Sequence, residues 1–209
     1  MATTTHIPLS EYLQTSYRPD REYIDGELRE RNVGKFEHAR IQALLTIWFG
    51  NHEREWGIIV ITEQRIQVAE SRVRIPDLTV TTAGPQPDTL VDPPLLVIEI
   101  LSPDDSYSDT QERARDYREM GVETVWIIDP KTRTGRMCTG ANWVEAKRLT
   151  VVGTPLLVDL DRIFGQILRH SHNLVYVNRR SFVLKESNPA SLGGLMDRPL
   201  TSEEFSSID

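Results

Sequence analysis

The segments RIPDLTVTT (residues 74–82), LLVIEIL (95–101) and TVWII (124–128) decide the fold of this chain. They are short, apolar and rich in β-branched residues, which is typical of buried strands. LLVIEIL is the most apolar of them, which predicts a place at the centre of a sheet. Asp77 and Glu99 lie within two of these segments, and a buried charge is costly unless it is paired or bound to a metal. The sequence therefore indicates a metal site on a sheet.

A hairpin and a helix are predicted before these strands. The segment REYIDGELRER (21–31) contains Asp25-Gly26, a preferred two-residue hairpin turn, and a supporting role at a sheet edge is the simpler interpretation of Asp25. Apolar residues recur at helical spacing over 35–56, which predicts the first long helix. His38 lies at its start, where a histidine is more often a structural hydrogen-bonding residue than a ligand.

A second, charged helix is predicted between the last two strands, over 110–120. Asp109 is a candidate N-cap for this helix. Arg113 and Tyr117 are four residues apart in it, so they share one face.

The two carboxylates define the chemistry that the strands could support. If the strands are neighbours, Asp77 and Glu99 lie together at one end of the sheet and, with the backbone carbonyl of Ile100, could hold Mg²⁺. Such an ion polarises a phosphate and lowers the pKa of an attacking water. The alternative from spacing alone is that Asp77 caps a Pro-Asp turn.

Composition restricts the class of protein. The chain has 209 residues with 39% hydrophobic and 26% charged residues, which is ordinary for a soluble globular protein. It contains no apolar run long enough to cross a bilayer, so we expect no membrane partner. The single cysteine, Cys138, and the absence of a signal-like N-terminus fit a cytoplasmic protein. The net charge of −7 argues against a nonspecific nucleic-acid coat protein but not against a nuclease.

The motifs together resemble the PD-(D/E)XK nuclease superfamily and, more closely, the Uma-type restriction endonuclease family, formerly a domain of unknown function. The resemblance covers about residues 10–168. The matching segments are Tyr23-Ile24-Asp25-Gly26-Glu27-Leu28, His38, Ile75-Pro76-Asp77, Val97-Ile98-Glu99-Ile100-Leu101-Ser102-Pro103, Asp109-x3-Arg113-x3-Tyr117, Gly121-Val122, Trp126-Ile127-Ile128-Asp129-Pro130 and Val158-Asp159-Leu160.

The resemblance implies an α/β (α+β) fold with a restriction-endonuclease-like core, in which helices flank a mixed central sheet and an N-terminal hairpin is added. It implies hydrolysis of DNA with Mg²⁺, for which Mn²⁺ can substitute. Asp77, Glu99 and the Ile100 carbonyl would be the metal ligands. His38 and Arg113 would act in catalysis, and Asp109 and Tyr117 would support the site.

The sequence departs from the family pattern at its lysine. The superfamily has lysine two residues after the glutamate, where this chain has Leu101, and the family has it at the position of Arg113. Arginine binds phosphate but stays protonated and is a poor general base. One alternative is therefore an impaired nuclease-fold protein that binds nucleic acid or another protein. Another is a structural domain whose carboxylates are paired with residues such as Arg113 or Arg115.

The organisation expected from the sequence is one catalytic domain followed by a tail. The domain is predicted over 1–170, and a flexible C-terminal tail over 171–209, where proline, glycine and acidic residues accumulate. A homodimer is a further expectation, because a two-fold dimer readily cuts both strands of a duplex.

Overall fold

A six-stranded mixed sheet forms the centre of the computed structural model, which describes residues 6–31, 34–140 and 143–173 without the side chains of 168–173. The helices are α1 (Leu9–Leu13), α2 (Phe36–Gly50), α3 (Glu53–Trp56), α4 (Tyr107–Met120) and α5 (Leu160–Asn173). The strands are β1 (Arg21–Ile24), β2 (Glu27–Glu30), β3 (Ile58–Thr62), β4 (Arg65–Ala69), β5 (Arg72–Arg74), β6 (Leu78–Thr82), β7 (Thr89–Leu90), β8 (Leu96–Ile100), β9 (Val125–Asp129), β10 (Thr134–Cys138), β11 (Trp143–Ala146), β12 (Arg148–Thr150) and β13 (Leu157–Asp159).

The central sheet has the order β11-β10-β9-β8-β6-β3. The pair β8 and β9 is parallel and is joined through α4, whereas the other neighbours are antiparallel. Every residue of β8 is buried, which confirms the central position predicted from its apolar sequence. The mixed sheet with flanking helices also confirms the predicted fold class.

The two faces of β8 and β9 are covered by different helices, because side chains alternate along a strand. Residues of one face pack with α2 and α5; they are Leu96, Ile98, Ile100, Trp126 and Ile128. Residues of the other face pack with α4; they are Val97, Val125 and Ile127. Glu99 shares the second face by its parity, which places it beneath α4.

A second sheet, ordered β2-β1-β5-β4-β7, carries the predicted hairpin. Asp25 and Gly26 both have positive φ, 51° and 94°, as the two-residue turn between β1 and β2 requires. The Asp25 carboxylate accepts hydrogen bonds from Ser71 Oγ at 2.6 Å and from Arg72 Nη2 at 2.8 Å. These contacts fix the hairpin on β5, in agreement with a supporting role.

A buried charged cluster joins the second sheet to α4. Arg74 donates to Glu22 Oε2 at 2.7 Å and to Asp116 Oδ2 at 2.8 Å. All three residues are buried. Glu22 also accepts the backbone N–H of Ile75 at 3.2 Å. Arg72 also donates to Asp116 Oδ1 at 3.0 Å. These ion pairs connect α4 to the strands, and loss of Arg74 would leave Glu22 as a buried charge without its cation.

Three details differ from the sequence-based expectations. The helix expected over 35–56 is interrupted and forms α2 and α3. The strand expected over 74–82 is likewise divided. β5 ends at Arg74 and β6 begins at Leu78, and Pro76, which cannot donate a backbone hydrogen bond to a neighbouring strand, lies between them. Asp109 is not the N-cap of α4, which begins earlier: the Ser106 side chain caps it by accepting the Asp109 N–H at 3.1 Å.

The predicted tail over 171–209 lies almost wholly outside the described residues, so that domain boundary stays a prediction. Within the described part of the chain, no helix has the length and apolar character needed to span a membrane.

Candidate active site

Asp77 and Glu99 face each other across two neighbouring strands. Asp77 directly precedes β6, and Glu99 is the fourth residue of β8. The antiparallel register pairs Leu78 with Ile98, which puts Asp77 opposite Glu99. Asp77 Oδ2 accepts the Ile100 N–H at 2.7 Å, so the carboxylate is fixed against β8. The structure therefore brings the two predicted carboxylates together at one end of the sheet.

Two basic side chains, those of Arg31 and His38, pair with Asp77. Arg31, just after β2, donates from Nη2 to Asp77 Oδ1 at 2.9 Å. His38, in the first turn of α2, has its Nε2 at 3.2 Å from Asp77 Oδ2. Burial favours the neutral acid, but the hydrogen bond and charge of His38 and the charge of Arg31 hold the pKa of Asp77 below its usual value. Although burial acts against it, Asp77 raises the pKa of His38, which favours the imidazolium form.

Glu99 is contacted by the two residues of α4 that the sequence placed on one face. Tyr117 donates from its hydroxyl to Glu99 Oε1 at 2.7 Å. Arg113 Nη1 lies 3.9 Å from Glu99 Oε2, and its Nη2 donates to Asp105 Oδ1 at 3.0 Å. Burial raises the pKa of Glu99 to about 7, with a smaller contribution from Asp77, while Arg113 opposes the shift. Glu99 therefore changes charge near neutral pH.

The remaining predicted residues lie at different distances from this centre. Asp109 is exposed in the first turn of α4 and lines a depression of about 190 Å³ that Arg113 and Arg31 also line. Arg115, one of the residues considered as a carboxylate partner, is exposed and lines other depressions. The contact between Ile100 and Asp77 uses the Ile100 N–H, so metal binding by the Ile100 carbonyl stays a prediction.

Arg31 and Asp105 are site residues that the sequence did not reveal. Arg31 directly follows the short charged strand β2, and nothing in the sequence distinguishes it from Arg29. Asp105 follows β8 in a turn, where it accepts the Ser102 N–H at 2.7 Å in addition to the bond from Arg113. Arg31 reaches the centre through a contact with a residue that is distant in sequence, whereas Asp105 reaches it through the turn between β8 and α4.

The donor chemistry suits a hard divalent cation. Two buried carboxylates face each other across adjacent strands. Mg²⁺ typically takes one or two protein carboxylates and keeps several waters. The described residues contain no group of three or more His, Cys, Asp or Glu that could hold a metal. Any bound ion would therefore rely on Asp77, Glu99, a backbone oxygen and water.

Open depressions adjoin Asp77 and the arginines of the centre. One of about 270 Å³ is lined by Asp77, Arg31 and His38. It shares His38 with a larger cavity of about 730 Å³, and Arg31 with the depression of about 190 Å³ near Arg113. Glu99 is buried and lines none of these three depressions.

Comparison with known proteins finds a family and solved structures that are similar to this chain. The model of the Uma2 family, described as "Putative restriction endonuclease", matches residues 9–164. A crystal structure from Anabaena variabilis, described as "a putative nuclease belonging to DUF820", has a TM-score of 0.65 and 21% sequence identity. That match covers 76% of this chain and 98% of the other, and it shows the fold alone. The search of curated proteins found no match.

Proposed function

The chain belongs to the Uma2 family of restriction-endonuclease-like nucleases, and on that premise we propose that it is a Mg²⁺-dependent DNA endonuclease that hydrolyses phosphodiester bonds. The observation that carries the proposal is the pair of buried carboxylates, Asp77 and Glu99, opposed on adjacent strands beside Arg113. A protein that only binds DNA has no need of two carboxylates facing a polyanion.

Each residue of the centre has a role in this proposal. Asp77, Glu99 and the Ile100 carbonyl would hold the cation, and Mn²⁺ could replace Mg²⁺ because it accepts the same oxygen ligands. When bound, such a cation would supply Lewis-acid chemistry toward the phosphodiester and its attacking water. Tyr117 orients the Glu99 carboxylate through its 2.7 Å hydrogen bond, and His38 orients Asp77.

Arg113 stabilises charge on the phosphate in this proposal, and it does not remove a proton. A guanidinium stays protonated in proteins and binds phosphate through paired N–H groups. Its pKa is raised further by Glu99, which excludes a neutral form. The Nε of Arg113 is buried and has no hydrogen-bond partner among the described residues, so its bonding is incomplete in the free protein.

A second candidate function rests on the pairing of Asp77. Both of its oxygens already have partners, which are Arg31, His38 and the Ile100 N–H. A carboxylate so paired resists a metal ion. This observation favours an impaired nuclease-fold protein that binds nucleic acid or another protein.

Calorimetric titration with Mg²⁺ and Mn²⁺ separates the two functions. The samples are the wild type, Asp77→Asn, Glu99→Gln and the control Asp161→Asn, which changes an exposed acid outside the site. Each sample is also incubated with supercoiled plasmid and the same metals. Endonuclease function predicts binding and nicking in the wild type and the control, and loss of both in the two site variants. Absence of metal binding in the wild type supports the second function instead.

Two further properties follow from endonuclease function. A homodimer would place one centre on each strand of a duplex; light scattering during gel filtration measures this state. A cytoplasmic location would give the enzyme access to DNA in the cell; fractionation of expressing cells tests it.

A further inference from the structure

The largest cavity beside the centre combines apolar walls with basic side chains. Its volume is about 730 Å³, within the range of roughly 300–1,000 Å³ that ligand sites occupy. Phe36, Leu101, Pro103 and Pro130 contribute its apolar surface. The cavity can therefore accept a flat apolar group the size of a nucleobase.

Phe36 is the most distinctive residue of this cavity. Its exposed fraction is 71%, although phenylalanine is usually buried. It lies at the start of α2, two residues before His38, which contacts Asp77. An exposed ring at the edge of a cavity offers a stacking surface, and every nucleobase has a face that can stack on it.

The charges of the cavity favour a polyanion at its rim. Lys35, Lys131 and Arg133 are exposed basic residues that line it, against the two acids Glu37 and Asp129. Asp129 is engaged locally, since its Oδ1 accepts the Lys131 N–H at 2.8 Å. The side chains of Lys35, Lys131 and Arg133 can therefore contact phosphates on either side of a base in the cavity.

The cavity and the depression at Asp77 share one lining residue. His38 lines both this cavity and the depression at Asp77. A strand whose base lies against Phe36 would therefore bring a neighbouring phosphate toward the carboxylates.

From these observations we propose that the cavity binds an unpaired base of single-stranded DNA, with Phe36 as the stacking surface and Lys131 and Arg133 as contacts to the flanking phosphates. The proposal rests on the proposed endonuclease function and adds its substrate class. In a duplex, each base is stacked and paired, so its face reaches Phe36 only after it leaves the helix, at a cost in free energy. The site therefore prefers single strands, including single-stranded regions within duplex DNA.

Fluorescence anisotropy with EDTA tests the preference, because binding is then measured without cleavage. The probes are fluorescein-labelled dT20, rU20 and a blunt 20-base-pair duplex, and the proteins are the wild type, Phe36→Ala, Phe36→Leu and Phe36→Trp. Tyr107→Ala is the matched control, since Tyr107 is also an exposed aromatic residue, at 64%, but does not line the cavity.

We expect the wild type to bind dT20 more tightly than the duplex. Phe36→Ala and Phe36→Leu should weaken binding of dT20 about tenfold, which is within the usual effect of removing one stacking ring. Phe36→Trp and the control should bind as the wild type does. Replacing Lys131 and Arg133 by glutamine should also reduce the salt dependence of dT20 binding.

Three results would overturn the proposal: equal affinity of the wild type for dT20 and duplex, unchanged dT20 binding by both Phe36→Ala and Phe36→Leu, or tighter binding of rU20 than of dT20. The plasmid assay is independent of these results. A protein that prefers dT20 through Phe36 but never nicks DNA contradicts the endonuclease function and keeps the binding site. A protein that nicks plasmid without a Phe36 effect keeps the function and refutes the binding site.

Discussion

Replacement of Arg31 by alanine should strengthen divalent metal binding. In the free protein, the guanidinium of Arg31 donates to Asp77 Oδ1 at 2.9 Å, and the two side chains are 16% and 5% exposed. A metal ion that binds Asp77 through this oxygen must displace Arg31. The arginine therefore competes with the ion, and its removal frees one oxygen and adds net negative charge to the centre.

The magnitude follows from the single bond that is lost. A hydrogen bond to a charged group contributes about 1.5–3 kcal/mol. Each 1.4 kcal/mol is a factor of ten in affinity, so the dissociation constant for Mn²⁺ should fall roughly 10- to 100-fold. Asp77 keeps the Ile100 N–H and His38 as partners, so its carboxylate stays in place.

Calorimetric titration with MnCl2 at pH 8 measures this effect. Burial raises the pKa of Glu99 to about 7, so a titration at pH 8 favours its ionised form. Arg29→Ala is the matched control, because Arg29 lies two residues before Arg31, on β2, and contacts Glu112 at 3.5 Å instead of Asp77. Thermal unfolding with and without metal checks that both variants are folded.

An unchanged or weaker affinity in Arg31→Ala would refute the reasoning. It would mean that Arg31 does not compete with the ion, or that no ion binds at Asp77. The same gain in affinity in Arg29→Ala would point to a general effect of surface charge.

Three other predictions concern the centre and its support. If a general base at the position of Arg113 accelerates the reaction, Arg113→Lys should raise the rate of plasmid nicking about 100-fold, since a desolvated lysine can lose its proton. An unchanged rate in single-turnover assays argues against a base at this position. Arg74→Met should lower the free energy of unfolding in urea by about 3–5 kcal/mol because it leaves Glu22 buried without its cation and Asp116 with Arg72 alone, whereas Lys147→Met, in an exposed pair, should cost less than about 1 kcal/mol. Burial raises the pKa of Cys138 to about 12, so Ellman's reagent should label this thiol only as the protein unfolds in urea; rapid labelling of the native protein contradicts this.

Local sequence patterns were sufficient for the elements that build the centre. LLVIEIL predicted a central strand because an unbroken apolar run can be buried on both faces, and β8 is buried throughout. Asp25-Gly26 predicted the hairpin because few residues adopt the two positive φ angles that the turn requires. Arg113 and Tyr117 were correctly placed on one face of a helix by their spacing alone.

Patterns failed where contacts between distant segments decide the structure. The strand expected over 74–82 is divided at Pro76, and β5 leaves the central sheet to pair with β1 and β4. In its new position, β5 is held by the Arg74 cluster, which connects it to Glu22 of β1 and to Asp116 of α4. No local periodicity predicts such a cluster, since its members come from three separate elements.

The charge balance of the centre connects the two candidate functions. The sequence pattern draws attention to Arg113, but it does not show that a second arginine, Arg31, pairs with Asp77. Together the two guanidinium groups supply the two positive charges that a divalent ion would bring to Asp77 and Glu99. A cation must therefore displace arginine from at least one carboxylate to bind. Displacement is easier at Glu99, where Arg113 lies 3.9 Å away, than at Asp77, where Arg31 is hydrogen-bonded. Under the proposed function, the affinity of Asp77 for metal thus decides between an active endonuclease and an impaired nuclease-fold protein.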